Sequence, residues 1–307
     1  MKILIAPMAG VTDYNYRQIL KRFHPDYIFT EMVSSNAIVR GNEKTLEQLL
    51  KVDQDESVQI FGKDIDIMLE AAKYIESIGV PHLDINAGCP MKKIVQNGYG
   101  AALLADLQHL DKLLYKLKSN LKIPISLKIR IGYKNFNLPL EATKIAEKND
   151  FKFVTVHGRT REQLYTGKAD WEIIKNIKQN SKIPIIGNGD IFSYKDAVEK
   201  ARYSNVDGIM LARGIMGYPW LIREIQDYIR GNEIITVTSS QKIDMAIEHY
   251  KLAIENKSEK IALYEMRKHL CWYIKGIPNS TTIKDLINHE ENTKVVINSL
   301  LKLKSEK

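Results

Sequence analysis

Cys89 stands in the run Asp84-Ile85-Asn86-Ala87-Gly88-Cys89-Pro90, directly after an apolar stretch of strand length, so its thiol is expected at a strand's carboxyl end. That is the end at which barrels and doubly wound sheets keep their chemistry. The chain has one other cysteine, Cys271, far along the sequence, so neither a disulfide framework nor a CxxC metal pair accounts for Cys89. It is the first candidate for a reacting group, set against the plainer reading of an inert thiol in a Gly-Cys-Pro turn.

Polar or special residues close other apolar runs in the same way: Pro7-Met8-Ala9, Gln59, Asn86, Lys128 with Arg130, His157 with Arg159, Asn188-Gly189-Asp190, and Ala212-Arg213-Gly214. One such residue would be a cap; so many converging on one face mark a large binding site. Gly187-Asn188-Gly189-Asp190 and Ala212-Arg213-Gly214 suit a phosphate, because glycines let backbone amides approach an anion and Arg213 adds charge; the glycines could equally serve tight turns. Lys128 shares a strand face with Arg130, and an inward lysine is costly unless it meets an anion or an electron-rich ring. The alternative is a lysine that reaches solvent from the strand end. His157-Gly158-Arg159-Thr160-Arg161 suits a phosphate or a nucleic-acid backbone, although His157 alone reads equally well as a core histidine. The seven histidines show no HxxxH or HExxH spacing, so no metal site is expected.

The elements that must position these residues are apolar runs at Ile3 to Pro7, Tyr27 to Thr30, Val58 to Phe61, His82 to Asn86, Ile125 to Arg130, Phe153 to His157, Ile183 to Asn188 and Gly208 to Ala212. Helical spacing lies between them, as in Ile65, Leu69, Ala72 and Ile75, or Leu107, Leu110, Leu113, Leu114 and Leu117. This alternation predicts an α/β (β/α)8 TIM barrel, with a doubly wound sheet as the alternative. Gly231-Asn232 breaks the pattern, and Thr236 to Ser240 reads as a linker that ends in a helix cap. Beyond it no strand recurs. The spacing of Ile243, Ala246, Ile247 and Tyr250, then Ile261, Met266, Leu270 and Tyr273, then Val295, Ile297, Leu300 and Leu301 suggests about three helices in a small C-terminal all-helical domain. The expected division is 1–235 and 236–307. On the second of these helices Lys260, Tyr264, Arg267, Lys268, Cys271 and Lys275 share a face, a basic stripe suited to RNA or simply solvated.

With 307 residues, 44% hydrophobic and 27% charged, the chain has material for a large core, and it holds no run of 18 apolar residues. Two cysteines fit a reducing, cytoplasmic setting. The start Met1 to Ala6 mimics a signal peptide, but Pro7, Gly10 and Asp13 interrupt it, and a first core strand is the better reading. The net charge of +8 is compatible with a polyanionic partner, and residues 238–307 carry only +3 of it.

Over nearly the whole chain, Ala6-Pro7-Met8-Ala9-Gly10-Val11-Thr12-Asp13, Gln59-Ile60-Phe61-Gly62, Asp84 to Pro90, Val156-His157-Gly158-Arg159-Thr160 and Gly187-Asn188-Gly189-Asp190-Ile191 resemble the bacterial tRNA-dihydrouridine synthases. Arg267-Lys268-His269-Leu270-Cys271-Trp272-Tyr273 further resembles their B-type branch. The resemblance implies an FMN-bearing barrel, a helical tRNA-binding domain, and NADPH as reductant. It implies that Pro7, Met8 and Ala9 line the flavin, that Gln59, Asn86, Lys128 and His157 bond its ring or ribityl atoms, and that Asn188, Gly189, Asp190, Ala212 and Arg213 hold the ribityl chain and phosphate. Cys89 becomes the acid that protonates uracil C5, with Lys92 or Lys93 able to depress its pKa. Lys92, Lys93, Arg161, Arg267 and Lys268 become tRNA contacts, and residues 165–170 a mobile loop over the site. The partner is then tRNA, with neither DNA nor membrane, and the chain is expected to act as a monomer. Two rivals follow: an FMN barrel dehydrogenase of the dihydroorotate or dihydropyrimidine type, against which the basic helical tail argues, and a non-catalytic tRNA-binding protein, against which Cys89 and Lys128 argue.

Overall fold

A computed structural model describes residues 1–43, 45–133 and 138–305. Eight strands, β1 (Lys2–Ile5), β2 (Tyr27–Ser34), β3 (Ser57–Phe61), β4 (Leu83–Ala87), β5 (Ile125–Arg130), β6 (Val154–His157), β7 (Ile185–Asn188) and β8 (Gly208–Leu211), form one closed parallel barrel. The doubly wound alternative fails on one register: Lys2 to Ile5 pair with Gly208 to Leu211, which closes what an open sheet would leave as two edges. The fold is a TIM barrel followed by helices.

The helices within the barrel segment are α1 (Tyr14–Lys21), α2 (Ser35–Val39), α3 (Ile65–Ser77), α4 (Lys92–Val95), α5 (Leu107–Asn120), α6 (Leu138–Lys148), α7 (Trp171–Gln179), α8 (Tyr194–Ser204) and α9 (Leu221–Arg230). Their starts are written in the sequence: the Asp64 carboxylate accepts from the Asp66 and Ile67 amides at the head of α3, and Asp106 accepts from His109 at the head of α5. Behind those caps the expected faces are buried, Leu69, Ala72 and Ile75 on α3 and Leu110, Leu113, Leu114 and Leu117 on α5.

The chain forms two compact units. The first comprises Met1–Tyr14, Pro25–Ile191 and Lys195–Ala212 and holds the barrel. Its interior is divided. Leu4, Ala6, Phe29, Phe153, Ile186 and Met210 make an apolar cluster from β1, β2, β7, β8 and the approach to β6. The inward positions of β3, β4 and β5 are polar instead: Gln59, His82, Asp84 and Ser126 are all buried there.

The second unit comprises Asn15–His24, Phe192–Tyr194 and Arg213–Lys307. Thr238 caps α10 (Ser239–Asn256) through a capping box with Gln241, as the linker reading anticipates. Among the described residues four helices follow the linker where about three were expected: α10, α11 (Glu259–Tyr273), α12 (Ser280–His289) and α13 (Thr293–Ser305). The missed one, α12, buries only Ser280 and Ile287, too few apolar positions to show a period. On α13 the buried face is Val296, Leu300 and Leu303, whereas Val295 and Leu301 are exposed; on α11 Ile261 is exposed and Leu263 buried. Tyr16 of α1 lies buried in this unit, its ring 5.2 Å from both His249 and His269. Among the described residues no helix is long and apolar enough to cross a membrane.

Candidate functional site

Cys89 sits in the turn after β4, and each backbone group around its thiol is held. Asn86, near the end of β4, accepts through Oδ1 from the Gly88 amide at 3.1 Å and the Cys89 amide at 2.9 Å. The Gly88 carbonyl accepts from Arg130 Nε at 2.9 Å, and the Cys89 carbonyl from the Ala101 amide at 3.0 Å. Gly100 permits that last approach: at φ +60° it would place a Cβ 2.7 Å from the Cys89 carbonyl oxygen.

Burial pushes the Cys89 thiol above its ordinary value, against the pull of the Met91 amide and the charges of Arg130 and Lys128. The cations acting on it are therefore β5 residues rather than Lys92 and Lys93, which lie exposed on α4. At neutral pH the group is a thiol, a proton donor.

The Asn86 amide nitrogen donates to Gln59 Oε1 at 2.7 Å, and Gln59 Nε2 donates to Asp84 Oδ2 at 2.6 Å. Both ends of the Gln59 amide are thus engaged, with one N–H to spare. Ser126, paired in register with Asp84, donates its hydroxyl to Asp84 Oδ1 and lies 2.9 Å from His82 Nε2. Burial pushes the Asp84 carboxyl up to about 6, against these two donors and Lys128.

Lys128, two residues along β5 from Ser126, shares its inward face, as the period of two requires. Burial first, then Arg130, pull its ammonium down to about 8, while Asp84 and Cys89 oppose the shift. His157 ends β6. Its Nδ1 lies 2.7 Å from Asn188 Oδ1, and Asn188 Nδ2 donates to the Met210 carbonyl at 2.7 Å. Because a carbonyl only accepts, Asn188 must turn its oxygen to His157, whose Nδ1 therefore carries the proton. Nε2 is left as a buried lone pair with no protein partner. Burial and the charges of Lys128 and Arg130 hold this imidazole well below its ordinary value, hence neutral.

The remaining candidates divide by role. Pro7, Met8 and Ala9 follow β1, where the Met8 carbonyl accepts from the Val11 and Thr12 amides. Within β7, Gly187 has a packing duty: a Cβ there would lie 2.3 Å from the Trp171 ring. Gly189, at φ +130°, is closely approached, since a Cβ there would lie 2.6 Å from the Ala169 methyl, while the Asp190 carboxylate is committed to Arg159 Nη2 at 2.7 and 2.8 Å and to the Ala169 amide at 2.7 Å. Ala212 follows β8 and is half-buried; Arg213 is exposed, its guanidinium 5.5 Å from the Phe192 ring. The expected mobile loop is tethered instead. Arg159 donates to the Thr166 and Gly167 carbonyls at 3.0 and 2.8 Å, and Arg130 to those of Thr160 and Leu164 at 2.9 and 2.8 Å.

Of the proposed nucleic-acid contacts, Lys92, Lys93 and Lys268 are exposed. Arg161 lies over the Tyr133 ring at 5.7 Å; Arg267 stacks on Tyr264 at 4.6 Å and donates to the Glu290 carbonyl at 3.1 Å. Asp84, Ser126 and His82 carry no flag in the sequence reading. Their signal in the sequence is polar residues at a spacing of two in otherwise apolar runs.

The family model described as dihydrouridine synthase (Dus) matches residues 4–307. A probable tRNA-dihydrouridine synthase of Rickettsia bellii is 39% identical over 293 residues, 93% of this chain and 89% of that one. The tRNA-dihydrouridine synthase B of Pseudomonas syringae pv. tomato is 34% identical, over 95% of this chain and 88% of its own length. Among solved structures, histamine dehydrogenase from Rhizobium sp. 4-9 shares the fold with a TM-score of 0.55 at 14% identity, covering 81% of this chain and 49% of that one.

Proposed function

Because the chain belongs to the dihydrouridine synthase family, we propose that it reduces the C5=C6 bond of uridine in tRNA, with FMN as cofactor, NADPH as reductant and Cys89 as general acid. The observation that carries the reading is a half-buried thiol kept protonated by burial in the field of Lys128, in a barrel that also holds the buried His157 Nε2 lone pair without a protein partner. That donor set fits a flavin: a cation beside its electron-rich pyrimidine edge, and a neutral imidazole that accepts. Gln59, with one spare amide hydrogen, would complete the ring contacts, Asn86 would meet the ring by packing because its amide is spent on Gln59, Met32 and the Cys89 turn, and the backbone of Pro7, Met8 and Ala9 would line it. Asn188, Gly189, Asp190, Ala212 and Arg213 take the ribityl chain and phosphate, Asp190 through its main chain because its carboxylate is spent on Arg159.

Bound FMN, reduced by NADPH, would supply hydride to uracil C6. Cys89 Sγ then gives its proton to C5, and the thiolate left behind lies in the field of Arg130 and Lys128 until it is reprotonated. The held turn keeps the thiol from wandering. A uridine stacked in folded tRNA must be extruded at a cost of a few kcal/mol. Lys92, Lys93 and Arg161 on the barrel unit, and Arg267 and Lys268 on α11, offset that cost through phosphate contacts. Residues 1–235 form the catalytic part and 236–307 the tRNA-binding part, in a cytoplasmic monomer.

The test is to map dihydrouridine in tRNA from cells lacking the protein. Loss of the modification at defined positions supports the assignment, and an unchanged map rejects it. Oxidation of NADPH that depends on tRNA and not on free pyrimidines separates this enzyme from the free-pyrimidine dehydrogenases.

A further inference from the structure

We propose that Asp84 is the positioning residue for Cys89, acting through a hydrogen-bond relay from Asp84 to Gln59 to Asn86 that ends on the backbone amides of Gly88 and Cys89. The inference rests on the enzymatic reading above, in which Cys89 is the proton donor.

A side-chain amide has no direction of its own, since rotating it by half a turn exchanges donor and acceptor. Gln59 and Asn86 face one another in series, and the pair could reverse together if neither end opposed it. Both ends oppose it. At the top are two backbone N–H groups, which only donate and demand the Asn86 oxygen at 3.1 and 2.9 Å. At the bottom is a carboxylate, which only accepts and demands the Gln59 nitrogen at 2.6 Å. Remove the carboxylate and the lower constraint is gone. The Gln59 amide, with no acceptor left for Nε2, then loses its fixed place beneath Asn86, and the turn hangs on the two backbone bonds to Asn86 Oδ1 alone and loosens. The Asp84, Gln59 and Asn86 side chains are buried, where unmet donors are not rescued by water.

The geometry also separates relay from charge. In Asp84→Asn the side-chain oxygen can still face Gln59 while its NH2 faces Ser126, whose hydroxyl rotates to donate to His82 Nε2, 2.9 Å away. The direction of the relay survives the loss of charge. In Asp84→Ala it does not.

The experiment uses the purified full-length, flavin-loaded chain carrying Cys271→Ser, so that Cys89 is the one thiol. Two readouts are taken: the rate of iodoacetamide alkylation, and the rate at which tRNA oxidises the pre-reduced flavin. Loosening the turn admits water and eases ionisation of the thiol, so Asp84→Ala should be alkylated about threefold faster or more at about pH 8. Its tRNA-dependent step should fall by about tenfold or more, while NADPH reduces its flavin at the parent rate. Asp84→Asn should restore both rates to within about threefold of the parent. Gln59→Leu, which cuts the relay in the middle, should reproduce the faster alkylation. The proposal is overturned if Asp84→Ala and Gln59→Leu melt as folded proteins with parental alkylation rates, or if Asp84→Asn is as impaired as Asp84→Ala. If the parent itself leaves tRNA uridine unreduced, the enzymatic reading is lost, and the alkylation series alone decides the relay.

Discussion

A nucleophilic cysteine needs its thiolate, and the surroundings of Cys89 withhold it. Two cations and a backbone amide act on the sulfur, yet burial outweighs them. The expected consequence is kinetic: Cys89→Ala should bind flavin and accept electrons from NADPH normally while reducing uridine about 10²- to 10⁴-fold more slowly. The sign of the pH dependence follows from the upward shift. The protonated donor persists through neutrality, so the single-turnover rate should stay level there and fall only as pH rises past the ordinary thiol range. A fall centred below neutral pH would contradict the donor role. Asp84 makes a second prediction. Its carboxyl rises from 3.8 to about 6 on folding, so the folded state holds that proton more tightly. The stability this contributes is present below about pH 4 and lost as pH climbs through about 6. Denaturation at pH 7.5 should therefore find Asp84→Asn more stable than the parent, by on the order of 1–3 kcal/mol, with the gap closing near pH 4. At this scale Cys89, Lys128 and His157 were legible because each closes an apolar run. Asp84 was not, because it lies within its strand, and its partners depend on a register with β5 that no local pattern encodes.

At the scale of elements, the 158–170 loop is held by two arginines from inside the barrel unit. Arg159 is buried and makes an ion pair with Asp190, itself mostly covered. Removing the cation strands the carboxylate, a loss of about 3–5 kcal/mol for a buried pair. Limited trypsin digestion of Arg159→Ala should then cut at Arg161 and Lys168 well before the parent is cut; equal rates would mean the strap holds nothing. Gly187→Ala tests the neighbouring packing. Its methyl would meet the Trp171 ring, and overpacking of this kind costs about 1–3 kcal/mol in unfolding free energy, recoverable by trimming Trp171 to Leu. The barrel strands were readable because parallel strands covered on both faces read as near-continuous apolar runs. β2 was cut short at Thr30 because the polar Glu31 follows, although the strand runs on to Ser34 through a shift in register between Phe29 and Met32. On α11 and α13 the periodicity was present, but its phase was misjudged where apolar residues stand on both sides of the true face.

At the scale of the whole molecule, the net charge of +8 makes tRNA affinity a matter of salt. Lys268 is exposed, so Lys268→Ala should weaken tRNA binding uniformly and reduce the salt slope by about one, without changing the melting curve. Arg267→Ala should do both, because its guanidinium also stacks on Tyr264 and serves the Glu290 carbonyl. Filter binding across a salt series distinguishes them.

The helical unit draws on both ends of the chain, since Asn15–His24 belong to it together with Arg213–Lys307. During synthesis its first piece leaves the ribosome before any barrel strand beyond β1, and the rest arrives last. Tyr16 must therefore wait for His249 and His269, and the helical unit cannot finish folding ahead of the barrel's own sequence. A fragment of 236–307 alone is born without the ring that stacks on His249 and meets His269 at a tilt.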